Sequence, residues 1–269
     1  GEKDFQVMRA ISVIAEIIKI EHALELLETQ GAYPLYAYLK NLYHEAENTK
    51  VKATKNLAAD LNFHSAYIKT QNLIKENIEH PKITELKKII QQEISKNQDI
   101  KIMVFNHYRE SASFIEKELN KIENVKAKLF VGQAKKADTG LTQNEQVKII
   151  EDFTNNNYNV IVSSSVGEEG LDIPQVDLVI FYEPIPSAIR SIQRRGRTAR
   201  LEKGRVIVLM TKNTRDEMYY WVSFHKEKRM NELLSKLKEK LQGKLEKPQS
   251  TLKEFTDEKK LKVFADSRE

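Results

Sequence analysis

The chain has 269 residues, 44 Lys and Arg against 39 Asp and Glu, a net charge of +5 and a pI of 9.0. That length can bury a sizeable core in one or two domains, and the mild positive balance leans towards polyanions. The absence of cysteine excludes disulfides, thiolate zinc sites and cysteine catalysis. No stretch is long and apolar enough to span a bilayer and no signal peptide opens the chain, so a cytoplasmic, nucleoid-associated protein is expected. The chain starts at Gly1-Glu2 inside a helical pattern and without an initiator methionine, which reads as an excised fragment.

The first eighty residues read as all-helical. Ile11, Ile14, Ile17, Ile18, Leu24 and Leu27 keep helical spacing from about Phe5 to Gln30, and Gly31 is a natural stop. Val13, Ile20 and Leu26 are apolar as well, so this helix is expected to be covered on more than one side. Pro34 starts a second helix with Leu35, Leu39 and Leu42, and helical pattern returns from Phe63 to Ile78. Between them lies a lysine-rich stretch, Lys50, Lys52 and Lys55, a candidate contact for branched nucleic acid.

His80-Pro81 marks a boundary, with Pro81 at the first position of a helix that runs to Ile94. Short apolar runs then alternate with helical stretches. Ile102 to Phe105, Val125 to Val131, Val160 to Val162, Val176 to Phe181 and Gly204 to Met210 read as strands of a parallel sheet buried on both faces. Glu110 to Asn120 is a helix, and Thr142 to Phe153 opens with a capping box, Thr142 and Glu145. A long helix runs from Asn213 through Leu241, where Asp216 and Glu217 suit the positive end of the dipole. After Gly243 the chain is polar and has no core of its own. The fold class is therefore α/β, a parallel sheet with flanking helices preceded by an all-α domain. The expected domains are 1–80, 81–212, a helix over 213–245 and a linker over 246–269.

In parallel sheets ligands bind beyond the carboxyl ends of the strands. There the loop Ser163 to Gly170 should meet the stretch Gln193-Arg194-Arg195-Gly196-Arg197-Thr198-Ala199-Arg200. A helical turn puts Arg197 and Arg200 on one face, and two guanidiniums can fork onto one anion. Gly196 lets backbone come close to a ligand. No phosphate-cradling Gly-x-x-x-x-Gly-Lys-Ser/Thr occurs, and the six histidines lack metal spacing, so no metal site is expected. The chain offers half a nucleotide site.

Gln193-x-x-Gly196-Arg197-x-x-Arg200 resembles motif VI of superfamily 2 helicases, Ser164 to Pro174 resembles motif V, and Met103-Val104-Phe105-Asn106-x-x-Arg109 resembles motif IV. His22 to Gly31, Tyr182 to Arg190 and Arg215 to Trp221 resemble the archaeal Hef family, helicase–nucleases for fork-structured DNA related to the Fanconi anaemia group M translocase. Residues up to about Glu79 match that family's helical insertion, and Lys262 to Glu269 resembles the opening strand of its XPF-type nuclease domain. Ser164 stands where relatives often have threonine, and the hydroxyl is retained.

The resemblance implies a second RecA-like lobe of an ATP-dependent DNA helicase. ATP with Mg2+ would be held mainly by a first lobe that this chain does not contain, so the chain alone is expected to hydrolyse no ATP. Arg197 and Arg200 would act on the γ-phosphate with Gln193 beside them, and Gly170, Asp172 and Gly196 would lie at the nucleotide. Asn106, Arg109, Gly132, Gln133 and Ser164 would meet the DNA backbone. Gln249, Leu252 and Phe255 resemble the sliding-clamp-binding peptide, with Thr256 where a second aromatic usually lies. Two other readings stand beside this one: a relative of the double-stranded RNA sensors with a similar insertion, and a non-catalytic nucleic-acid adaptor.

Overall fold

The computed structural model of the chain describes residues 2–132, 140–164, 174–185, 187 and 205–245, with side chains from residue 5 to 236 and at 238. The chain divides into two compact units, Gly1–Ser223 and Phe224–Glu269.

The first unit opens with four helices: α1 (Glu2–Thr29), α2 (Ala32–Asn48), α3 (Lys52–Ala59) and α4 (Leu61–Lys75). Leu26, Leu35, Leu39, Leu42, Leu57 and Phe63 form their common core, and Tyr38, Tyr43 and Tyr67 pack around it. Burying each such leucine stabilises the bundle by roughly 1.5–3 kcal/mol. Gly31 ends α1 at φ 96, and the amides of both Gln30 and Gly31 donate to the Leu26 carbonyl at 2.9 Å. A side chain at Gly31 would need an unfavourable φ, and its Cβ would come within 2.7 Å of the His80 Cβ. The Asp60 side chain caps α4 by accepting from the amides of Asn62 and Phe63.

Two features of the bundle depart from the sequence reading. The lysine-rich stretch contains a helix, α3, because Ala53, Thr54 and Leu57 are buried together while Lys52 and Lys55 stay exposed. The first half of α1 is not covered on several sides by the described residues. Phe5, Met8, Ile11, Ile14 and Ile18 are all more than half exposed.

The sheet follows. Its elements are α5 (Pro81–Lys96), β1 (Ile102–Phe105), α6 (Arg109–Leu119), β2 (Ala127–Phe130), α7 (Gln143–Thr154), β3 (Val160–Ser163), β4 (Leu178–Phe181) and β5 (Arg205–Val208). The strands are parallel in the order β2-β3-β1-β4-β5. Alternate residues serve opposite faces. Ile102, Val104, Val160, Val162, Leu178 and Ile180 face α5 and α6, where Ile83, Leu86, Ile90, Ile115 and Leu119 meet them. Met103, Phe105, Ile161, Val179 and Phe181 face α7 through Ile149 and Phe153. That two-sided burial explains why the strands read as unbroken apolar runs. The capping box at α7 is present as the sequence indicates, with Thr142 and Glu145 bonding each other's backbone.

Among the described residues β2 and β5 are the two edge strands, and Val206 and Val208 of β5 are exposed. Arg205 anchors this edge through a paired contact with Glu93 of α5. The guanidinium holds the Glu93 carboxyl down at about 2. Because the folded pKa is depressed, this contribution is present above the ordinary carboxylate range and fades as pH falls towards 2.

The last described helix, α8 (Arg215–Leu245), starts in the first unit. Its first turn is acidic, and Asp216 does more than suit the dipole. It is fully buried and pairs with Lys82 at 2.8 Å. The second unit consists, among its described residues, of the remainder of that helix. No described helix is long and apolar enough to cross a membrane.

Candidate nucleic-acid interface

The carboxyl ends of β1, β2 and β3 lie side by side, and four residues singled out in the sequence meet there. Asn106 follows β1, Gly132 lies just beyond β2, Ser164 follows β3, and Arg109 opens α6. Backbone bonds lace these ends together. The Asn106 amide donates to the Ser163 carbonyl at 2.9 Å, and the Ser164 amide donates to the Phe130 carbonyl at 3.2 Å. Arg109 Nη2 donates to the Gly132 carbonyl at 3.3 Å, tying the β1–α6 loop to the chain after β2. The amides of Asn106 and Ser164 are committed to these bonds and Ser164 and Gly132 are buried, so the half-buried Arg109 guanidinium is the phosphate-binding group that this edge presents.

The side chain of Asn106 is turned inwards. It is wholly buried, its Nδ2 donates to Gln30 Oε1 at 2.8 Å, Ser111 Oγ at 3.2 Å and Glu183 Oε2 at 3.1 Å, and its Oδ1 accepts from the Tyr108 amide at 2.8 Å. In this arrangement the amide shapes the loop and does not reach solvent. Gln30 Nε2 also donates to Glu183 Oε2 at 3.1 Å, and Ser111 Oγ donates to Gln30 Oε1 at 2.6 Å. Glu183 Oε1 accepts from the His107 amide. Gln30, Ser111 and Glu183 escape a reading by motif, because buried pairing between residues so far apart in the chain has no local signature. The one available signal is that Gln30 and Glu183 both fall inside stretches that resemble the Hef family.

A 490 Å³ cavity opens beside this cluster, lined by His22, Glu25, Tyr108, Glu183, Asp216 and Tyr219 among others. A hydrogen bond from His22 holds the Glu25 carboxyl below its ordinary range, and the hydroxyls of Tyr219 and Tyr108 add to this against the opposing cost of burial. Tyr219 donates to Glu25 Oε1 at 3.1 Å. Burial pushes the Tyr108 phenol upward, and the Glu25 charge reinforces that. Among the described residues no group of histidines and carboxylates is arranged to hold a metal ion. Gln133, Gly170, Asp172, Gln193, Gly196, Arg197 and Arg200 lie outside the described residues, as do Gln249, Leu252 and Phe255.

Two family models match. "Helicase conserved C-terminal domain" covers residues 81–202, and "Putative ATP-dependent RNA helicase, helical bundle" covers residues 2–80. The chain is 40% identical over 229 residues to "Putative ATP-dependent RNA helicase MJ1505" of Methanocaldococcus jannaschii, which spans 84% of this chain and 28% of that protein. It is 34% identical over 218 residues to the ATP-dependent DNA helicase mph1 of Neurospora crassa, spanning 78% of this chain and 19% of that one. The solved Hef helicase domain of Pyrococcus furiosus is 51% identical with a TM-score of 0.60, over 78% of this chain and 42% of that structure. The chain thus corresponds to under half the length of each of these relatives. With a parallel sheet behind a helical bundle, the chain carries a helical bundle of the helicase type joined to a helicase conserved C-terminal domain, and it is similar to the Hef helicase domain across both.

Proposed function

We propose that this chain is the second motor lobe, with its helical insertion, of an ATP-dependent translocase that acts on forked or branched DNA. The observation that carries the reading is the convergence of Asn106, Arg109, Gly132 and Ser164 on one sheet edge of a helicase C-terminal domain. In this reading Arg109, Gly132, Gln133 and Ser164 touch the strand backbone, and Asn106 supports the loop from beneath. Contacts of that kind are to phosphates and carry little sequence preference. Arg197 and Arg200, with Gln193, stabilise charge on the γ-phosphoryl of ATP, while Gly170, Asp172 and Gly196 line the nucleotide. ATP with Mg2+ supplies the phosphoryl transfer, and most of its cradle belongs to a first RecA-like lobe. The working division is an insertion over 1–80, the lobe over 81–212, a helix over 213–245 and a linker over 246–269. The protein is then expected in the cytoplasm, at the nucleoid.

The printed names of the relatives differ on the nucleic acid: one is called an RNA helicase and the other a DNA helicase. ATP turnover by the protein extended to include the first lobe, measured with forked DNA and with duplex RNA of equal length, separates them. Forked DNA is expected to give the larger stimulation at every concentration. Equal or greater stimulation by RNA would sink the DNA reading, and no stimulation by either would favour a non-catalytic adaptor. The chain as it stands is expected to show no turnover.

We also propose that Gln249, Leu252 and Phe255 bind a sliding clamp. Leu252 and Phe255, three apart, can share one side of a short 3₁₀ turn. Such a segment orders on binding, which limits affinity. Calorimetry of the tail peptide against the cognate clamp should give modest binding. Equal binding by a Leu252→Ala, Phe255→Ala peptide would rule the mode out.

A further inference from the structure

The buried cluster beneath the candidate interface joins three parts of the fold. Gln30 comes from the α1–α2 turn of the bundle, Asn106 and Ser111 from the β1–α6 region, and Glu183 from the chain after β4. Gln30, Asn106 and Ser111 are at most 2% exposed, and Glu183 is 6% exposed. Every bond in the cluster has a direction. The Gln30 amide donates to Glu183 and its carbonyl oxygen accepts from Asn106 and Ser111, while Glu183 accepts from Gln30, Asn106 and the His107 amide. Asn106 in turn accepts from the Tyr108 amide. Two consecutive backbone amides of the loop that leads to Arg109 are therefore held by this cluster, one directly by Glu183 and one through Asn106. Tyr108 completes the grip from above, since its ring packs against the core of the bundle. Buried polar groups of this kind fix one arrangement, because any other leaves a desolvated donor or a charge unpaired.

We propose that Gln30 and Glu183 are positioning residues for the His107–Arg109 loop, so that the helical bundle sets the geometry with which Arg109 meets the nucleic-acid backbone. The inference rests on the nucleic-acid reading of that edge. It makes the bundle part of the strand-gripping element, acting through a side chain that never touches the strand.

The donor–acceptor pattern supplies a discriminating test in the protein that includes the first lobe. Gln30→Glu places two carboxylates in contact. The exchange Gln30→Glu with Glu183→Gln restores one donor facing one acceptor between the two positions: position 30 still accepts from Asn106 and Ser111, and position 183 still accepts from His107, while the bond from Asn106 to position 183 is lost because its Nδ2 then faces an amide nitrogen. ATP turnover is measured against forked DNA concentration, alongside melting temperature. Gln30→Glu is expected to raise the half-saturating DNA concentration about tenfold, the change for losing one buried bond to a charged group. The turnover number at saturation should change less, and the exchange variant should recover part of the loss, since the carboxylate contact is removed but the Asn106 bond to position 183 is not restored. If Gln30→Glu does not fold, Glu183→Gln alone, a milder change, is read the same way against the exchange variant. Arg109→Ala runs in parallel. If it raises half-saturation but the single clasp variants do not, the positioning role is overturned and the nucleic-acid reading stands. If the clasp variants are impaired at an unchanged melting temperature and the exchange does not recover them, the pairing is again overturned. If Arg109→Ala itself has no effect, the nucleic-acid reading fails and this inference falls with it.

Discussion

Arg200→Ala, in the protein that includes the first lobe, is expected to lower ATP turnover by about 10³–10⁵-fold while nucleotide binding changes little. Arg197→Ala should behave alike. The reasoning is chemical. A guanidinium aimed at the γ-phosphoryl oxygens gains most when negative charge spreads over them, which happens in the transition state and not in the bound ground state. The arginines stand three residues apart in the sequence, a spacing with which a helical turn would present both to a single phosphate. Measured turnover and nucleotide affinity should therefore separate. A turnover number in Arg200→Ala equal to that of the parent would remove the arginine from the site.

The largest loss of stability is expected at Asp216. Lys82 is 4% exposed, Asp216 is wholly buried, and their 2.8 Å contact joins the first turn of α5 to the first turn of α8. Asp216 Oδ2 also accepts from the Thr211 amide at 3.0 Å, and the Lys82 ammonium sits 4.8 Å over the ring of Tyr182. Asp216→Ala leaves that ammonium buried with only a ring for company. Removing one partner of a buried pair costs about 3–5 kcal/mol, which for a chain of this size lowers the melting temperature by roughly 10 °C. Replacing both partners, Lys82→Met with Asp216→Leu, should recover much of the loss, because no charge is then stranded. Thermal unfolding followed by circular dichroism checks both. A melting temperature unmoved in Asp216→Ala would show that the pair contributes nothing net.

The central strands β1, β3 and β4 were legible because they are buried on both faces and so read as apolar runs, as at Ile102 to Phe105. Thr142 with Glu145 and the stop at Gly31 were legible because caps and positive φ select particular residue types. Other features depend on partners that no local pattern reveals. Lys50, Lys52 and Lys55 read as a lysine-rich stretch between helices, yet the buried Ala53, Thr54 and Leu57 interleaved with and following them dock α3. Asn106 carries a polar side chain after a strand, which suits a ligand contact, and only the arrival of Gln30 and Glu183 turns it inward. Asp216 looked like an ordinary helix-opening acid because its lysine lies far back in the chain. The apolar run of β5 matched a central strand, whereas among the described residues the strand pairs with β4 on one side only.

The placement of β1 at the middle of the sheet bears on how the chain assembles. Helices α1 to α4 pack on one another within the first 75 residues, contacts of short sequence separation that can close early in synthesis. β1 follows them off the ribosome but must wait, since its partners are Val160 to Ser163 on one side and Leu178 to Phe181 on the other. Until both have emerged, Ile102 to Phe105 is an apolar segment with two open edges and nothing to pair with. The bundle's own core is unfinished over the same interval, because Tyr108 reaches it only from the loop that β1 carries. The bundle and the sheet therefore complete each other late, and the stretch around β1 is exposed to misassociation until then.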